Sequence, residues 1–172
     1  MKEINIIDFG LMGKQISALF YLLGYEIGVY NKSKLNIYEF EKQIKLLQRK
    51  IDFSNFNAGK INIYQHIEDL KNSLTIESLN EDLNLKKEIM QILRDNNIVF
   101  SNSSSLSMDD LNCDFIHFFN TIYIKLIELC GSNLERFTPL KDLKKLGFHI
   151  ICSKGNRGAL ANLLLFNEIS SF

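Results

Sequence analysis

The chain has 172 residues, 46% of them hydrophobic, with 20 basic and 20 acidic side chains that cancel to a formal charge of zero. A chain of this length and apolar content makes one folded domain, which excludes global disorder. The absent net charge excludes a generic nucleic-acid binder, because there is no long-range field to draw in a phosphate backbone.

The start, Met1-Lys2-Glu3, runs directly into the apolar segment Ile4 to Ile7. That segment reads as a strand buried on both faces and lacks a signal-peptide cleavage pattern. Leu11 to Leu23 follows as a helix, with Ile16, Leu19, Phe20 and Leu23 at helical spacing and Gly24 stopping it. Its apolar stretch from Ile16 to Leu23 is far below the roughly 18 residues a bilayer crossing needs, so no membrane span is expected. Ile27 to Tyr30 reads as a second strand, which completes a βαβ unit. Tyr38 to Ile51 is a charged amphipathic helix, Asp52 to Gly59 a loop, and Ile61 to Ile63 and Leu74 to Ile76 are short strands.

Leu85, Ile89, Met90 and Leu93 make the next helical stripe, which Asn96-Asn97 break before a strand at Ile98 to Phe100. Ser107 and Asp110 stand at capping-box spacing. Phe115 to Phe119 and Ile124 to Leu129 should be strands, Leu134 to Leu146 a helix ending at Gly147, and His149 to Cys152 the last strand. Gly158 to Ile169 reads as a closing helix. The alternation predicts a single α/β domain with a doubly wound, mainly parallel sheet over residues 1–157, then a linker-like helix over 158–172 with no second domain. Cys113, Cys130 and Cys152 are odd in number and have no metal spacing; they read as reduced structural thiols, and no metal site is expected. The cytoplasm is the expected compartment.

Ligands of such sheets bind outside the carboxyl ends of strands, so the turn after the first strand is where a cofactor belongs. It reads Asp8-Phe9-Gly10-Leu11-Met12-Gly13. Gly10 and Gly13 stand at the second and third positions of the dinucleotide fingerprint G-x-G-x-x-G, where the backbone approaches the pyrophosphate and the helix packs on the strand. Asp8 takes the first position. A carboxylate about 4 Å from a phosphate charge costs roughly 1 kcal/mol in water-like surroundings and roughly 4 at an intermediate effective dielectric. The same carboxylate could instead turn away to a backbone N–H. Asn31 stands where the fingerprint expects the ribose-binding acid, and it cannot supply a charge-assisted bond.

Further along come Ser101-Asn102-Ser103-Ser104-Ser105-Leu106, then His117-Phe118-Phe119-Asn120, then Lys125-Leu126-Ile127-Glu128. Together with Gly10-Leu11-Met12-Gly13, Glu77, Glu81-Asp82-Leu83, Lys86, Gly147, Cys152-Ser153-Lys154, Gly158 and Asn162, these segments resemble the NAD-binding domain of the 3-hydroxyacyl-CoA dehydrogenase family almost end to end. The resemblance implies a Rossmann-type domain of fatty acid metabolism that binds NAD and an acyl-CoA. It makes His117 the base for the substrate hydroxyl, Glu128 its orienting carboxylate, and Ser104 and Asn162 the substrate contacts. It places Asn120 beside the nicotinamide, and Glu81 and Lys86 along the cofactor, with Asp8, Gly10, Leu11, Met12, Gly13 and Asn31 around its phosphates and ribose. A neutral imidazole suits proton removal from a secondary alcohol, and a carboxylate behind it stabilises the imidazolium.

The departures are equally specific. Asp8 and Asn31 replace the fingerprint's glycine and acid, Thr121 stands at a family proline, and Gly155, Arg157 and Leu163 replace an acid, a proline and an arginine. The stretch from Asn31 to Glu77 is shorter than the family's, whose helical arm there holds coenzyme A. The chain also stops before the family's C-terminal helical domain, so it is expected to be a truncated member. Two functions follow: a dehydrogenase that borrows a helical domain or dimerises through Leu160 to Phe166, or a non-catalytic descendant that keeps the fold and binds cofactor weakly or not at all. Phe118 and Phe119 read as core, His66 and His149 as structural, and Lys141 to Lys145 as a solvated helix face.

Overall fold

The computed structural model describes residues 2–33, 35–93, 98–119 and 123–153. The expectations for Asn96-Asn97, Asn120, Thr121, Asn162 and the helix over 158–172 lie outside these residues. Eight strands form one sheet in the order β3-β2-β1-β4-β5-β6-β7-β8. They are β1 (Glu3–Ile7), β2 (Glu26–Tyr30), β3 (Lys60–Tyr64), β4 (Leu74–Glu77), β5 (Ile98–Ser101), β6 (Asp114–Phe118), β7 (Leu126–Cys130) and β8 (His149–Ser153). All neighbouring pairs are parallel except β6 with β7. The doubly wound, mainly parallel α/β sheet read from the sequence is therefore the architecture.

Alternation along the strands divides the sheet into two unlike faces. Ile4, Ile6, Ile27, Val29, Ile76, Ile116 and Ile127 point to one face and pack under α1 (Leu11–Leu22) and α2 (Ile37–Gln48) in the main core. The other face meets α3 (Leu83–Leu93) through Ile7, Ile89 and Leu93. That face also buries polar side chains in the strands, among them Asn5, Thr75, Glu77, Ser101 and Glu128. A buried polar group is costly unless it is hydrogen-bonded, so such a face marks where a site can be built. Gly24, at φ +86°, ends α1, as its lack of a Cβ suggests. Ser107 and Asp110 close a reciprocal capping box on the short helix α4 (Met108–Leu111).

The structure corrects three readings. The helix expected over Leu134 to Leu146 is a 3-10 turn at Leu134–Arg136 followed by α5 (Leu140–Lys145). Pro139, the chain's one proline, stands between them. It has no N–H to donate and pushes the preceding residue out of the helical region, so a continuous helix cannot cross it. No α-helix joins β3 to β4, only a 3-10 turn at Ile67–Asp69, and β6 pairs antiparallel with β7 with no helix between them among the described residues. The strand-helix alternation is thus incomplete at both places. Within the run read as solvated, Asp142 is buried, where it accepts the Tyr25 hydroxyl at 2.8 Å and a charge-assisted bond from Lys2.

Candidate active site

A cleft of about 520 Å³ opens at the carboxyl ends of β1, β4, β5 and β6. It lies at the switch point of the sheet, where the strand order reverses between β1 and β4. Its volume falls within the range of small-molecule pockets. The turn after β1 forms one end through Asp8, Gly10, Leu11 and Met12. The middle is made by Ser78 to Glu81 after β4 and by Asn102 and Ser104 after β5. His117, Phe119 and Ile124 form the other end.

His117 and Glu128 are direct partners across the antiparallel β6–β7 pair. Opposed residues in such a pair project from the same face with Cβ atoms about 5 Å apart, so the imidazole and the carboxylate are neighbours on the site face. The Nδ1 atom of His117 is buried and has no hydrogen-bond partner among the described residues. The ring meets Phe119 edge-on, with centroids 4.2 Å apart. Burial pushes the imidazole below its ordinary value of 6.5, and the negative fields of Glu128 and Glu81 only partly oppose this. The ring is therefore neutral at pH 7 and able to accept a proton. Glu128 is buried and accepts the Ser153 hydroxyl at 2.9 Å, so β8 helps to fix the carboxylate.

Glu81 spans the middle of the cleft. It accepts the Ser103 hydroxyl at 2.6 Å and the Ser104 N–H at 2.8 Å. Burial raises its pKa, but those hydrogen bonds and the charge of Lys86 outweigh it and hold the carboxyl below its ordinary value. Glu81 and Ser104 thus meet at the cleft wall. Lys86 does not line the cleft. Its ammonium group is fully buried, 2.6 Å from Glu77 and 3.0 Å from the Leu79 carbonyl oxygen. Glu77 in turn takes the Ser101 hydroxyl at 2.6 Å and the Leu79 N–H. This ion pair is the floor beneath the wall formed by Leu79, Asn80 and Glu81. Helical arithmetic carries the signal that was missed, since Lys86 lies three, four and seven residues before Ile89, Met90 and Leu93, the buried stripe of α3.

At the glycine turn the residues are close-packed. A Cβ on Gly13 would stand 2.1 Å from the Asp8 carbonyl oxygen, so only glycine lets α1 approach the strand end this closely. Asp8 occupies the left-handed region at φ +73°. Its Oδ2 accepts the Gly10 N–H at 3.0 Å. Asn31 sits outside the cleft lining; its Oδ1 accepts the Phe9 N–H at 2.9 Å, and its Nδ2 donates to Ser33. It therefore ties the end of β2 to the turn.

Residues the sequence reading left without a role also reach the cleft. Ser78 donates its hydroxyl to the Ile7 carbonyl at 3.0 Å, and Asn102 accepts the Phe118 N–H at 3.0 Å, which pins β6 to the end of β5. Both directly follow strands, at the carboxyl ends where the architecture places ligands, and that position is the signal that points to them. Phe118 is core, edge-on to Phe20, whereas Phe119 belongs to the cleft rather than the core. His66 and His149 are exposed.

The start of α1 at Gly10 to Met12 and the residues from Ser78 to Ser104 line the same cleft, so helix N-terminal amides that suit an anion stand beside it. Among the described lining residues there are two carboxylates, Asp8 and Glu81, and no lysine or arginine. No metal-binding cluster of His, Cys, Asp and Glu occurs among the described residues, and none of their helices is long and apolar enough to cross a membrane.

Residues 3–144 match the family model of the 3-hydroxyacyl-CoA dehydrogenase NAD-binding domain. A 3-hydroxybutyryl-CoA dehydrogenase of Clostridioides difficile is 27% identical over a 157-residue alignment that covers 77% of this chain and 55% of that protein. The chain thus spans about half the length of that curated relative. Among solved structures, (S)-3-hydroxybutyryl-CoA dehydrogenase from Ralstonia eutropha superposes with a TM-score of 0.80 at 21% identity, covering 99% of this chain and 70% of that one. A 3-hydroxyacyl-CoA dehydrogenase from Archaeoglobus fulgidus gives 0.75 at 23% identity, covering 99% and 62%. At these identities the superpositions speak for the fold.

Proposed function

The chain belongs to the 3-hydroxyacyl-CoA dehydrogenase family through that family's NAD-binding domain, and from this premise we propose that it serves an NAD-dependent oxidoreductase acting on acyl-CoA substrates. The reaction is hydride transfer between the 3-hydroxy or 3-keto carbon of the acyl chain and the nicotinamide. The observation that supports this reading is His117 at one end of a cleft whose other end is the glycine turn, with Glu128 its direct cross-strand partner.

Bound NAD would supply the hydride acceptor or donor. In the oxidative direction His117, held neutral by burial, removes the substrate hydroxyl proton; in reduction the imidazolium returns it. The charge of Glu128 on the neighbouring strand favours the imidazolium, and the Ser153 hydroxyl keeps that carboxylate in place. Phe119 and Ile124 supply an apolar wall beside His117. Glu81 fixes the backbone of Ser104 and takes its hydroxyl in a long bond of 3.4 Å, which a substrate oxygen would replace. The turn from Gly10 to Gly13 would hold the cofactor's phosphates with its backbone N–H groups. Asn120 and Asn162 are assigned to the nicotinamide side and to substrate by resemblance. The three separated thiols suit a reducing compartment, the cytoplasm.

The test is acetoacetyl-CoA reduction followed by NADH consumption, with NADH binding titrated by fluorescence on the same preparation. Turnover with saturable NADH binding is expected. Absence of NADH saturation at millimolar cofactor would leave a non-catalytic family descendant.

A further inference from the structure

Asp8 is one of two non-glycine residues among those described that adopt a positive φ; the other, Asn112, caps a helix. A glycine would hold this conformation without the Cβ penalty that asparagine and aspartate only partly escape. The side chain does not hang free. Its Oδ2 lies 3.0 Å from the Gly10 nitrogen, and a Cβ on Gly10 would approach that same oxygen to 2.8 Å. The carboxylate therefore sits against Gly10, and Asp8 and Gly10 both line the cleft.

Gly10 is the residue before the first turn of α1, whose first intrahelical bond runs from the Lys14 N–H to the Gly10 carbonyl. The amides just ahead of that bond have no partner inside the helix, and they form the positive end that anions seek. One such amide, at Gly10, already holds an anion belonging to the chain itself, and the neighbouring Phe9 N–H is taken by Asn31. No cation among the described lining residues offsets the carboxylate.

Resting on the reading that this cleft takes a dinucleotide, we infer that Asp8 is an internal competitor for the pyrophosphate seat and sets the cofactor affinity. Cofactor entry requires the Asp8 carboxylate to leave the Gly10 N–H. The turn keeps its shape throughout, because the left-handed backbone at position 8 is what the fingerprint needs there.

Fluorescence titration of NADH into the wild-type chain and into Asp8→Gly and Asp8→Asn tests this, with thermal shift at fixed NADH as an independent readout. Asp8→Gly removes both charge and occupancy and should bind at least tenfold more tightly than wild type. Asp8→Asn keeps an oxygen for the Gly10 N–H but loses the charge, and it should recover at least threefold. The asparagine variant tolerates the left-handed backbone, so it carries the test alone if the glycine variant is unstable. Saturable wild-type binding with both variants inside twofold of it overturns the role of Asp8 and leaves the cofactor reading standing. No saturation by any of the three at millimolar NADH overturns both.

Discussion

At one end of the cleft His117 and Glu128 are placed by strand register; at the other Asp8 and Asn31 are placed by side chains that hold single backbone amides. The difference decides what substitution can do at each end. Moving His117 off the site face would require β6 to slip by one residue, which would also turn Ile116 and Phe118 out of the core. The base end is therefore locked by burial on the opposite face. The glycine turn has no such lock. Asp8 holds the left-handed backbone that a glycine would hold there, and its carboxylate adds a charge beside the Gly10 N–H. Sheet register preserves a site against drift, whereas a turn lets the fold persist as the site's ligand preference moves.

The comparison can be broken most directly at the base. His117→Ala should lower the rate of acetoacetyl-CoA reduction by about 10²- to 10⁴-fold, the usual worth of a positioned general acid–base. NADH affinity should stay within twofold of wild type, because the phosphate seat is at the far end. Stopped-flow or steady-state assays alongside the binding titration check both halves. A matching loss of affinity would show that the two ends are not independent.

The floor they share comes next. Lys86→Met should destabilise the chain by roughly 3–5 kcal/mol, because it strands the buried Glu77 without its cation. Burial already drives Glu77 toward its neutral form, with Lys86 opposing. Urea denaturation measures the loss. An accompanying fall in NADH affinity would locate the wall from Leu79 to Glu81 as the route by which the floor reaches the cofactor.

Glu128→Gln sharpens the base end. It keeps the shape and the Ser153 hydrogen bond but removes the field that raises the His117 pKa. The imidazole should then titrate at still lower pH, and the rate should fall roughly tenfold to a hundredfold as the imidazolium loses its support. The sign for stability follows from the same shift. Folded His117 titrates below its unfolded value of 6.5, so the unfolded chain binds the extra proton first and stability falls as pH drops below about 6.5 through the folded pKa. The Gln variant should begin this loss at the same upper limit and extend it further downward. Proton NMR of the imidazole across pH 4–8 reads the shift; an upward movement would remove Glu128 as the neighbouring charge.

How far these ends were legible in the sequence differs in the same way. The aromatic and β-branched content of Phe115 to Phe119 and Ile124 to Leu129 placed two strands, and the family resemblance made His117 and Glu128 on them a pair. The antiparallel pairing of the strands was not legible, since a parallel expectation gives the same residue content. The helix misread across Pro139 came from weighing the apolar spacing of Leu134 to Leu146 above the missing amide of a single residue. The glycine turn could be read only as a position with an unusual occupant. Whether the Asp8 carboxylate would turn away or cap an amide depended on a side-chain torsion and a distance of a few ångströms, which no residue pattern encodes.

The smallest effect tests the other support of the turn. Asn31→Ala removes the acceptor for the Phe9 N–H and the two bonds from Nδ2 to Ser33. Much of this network is at the surface, where water replaces a lost partner, so the net cost should be about 1 kcal/mol. For a chain of this length that is a melting-temperature drop of about 2–4 °C. The diagnostic part is the comparison with Asp8→Gly. If the turn's geometry rests on packing of Gly13 against the Asp8 carbonyl, Asn31→Ala should leave NADH affinity within twofold while the melting point falls. A several-fold loss of affinity instead would mean that Asn31 holds the seat in register. The two amides at Phe9 and Gly10 would then have opposite influences, one tied off to shape the seat and its neighbour tied off by the residue that competes for it.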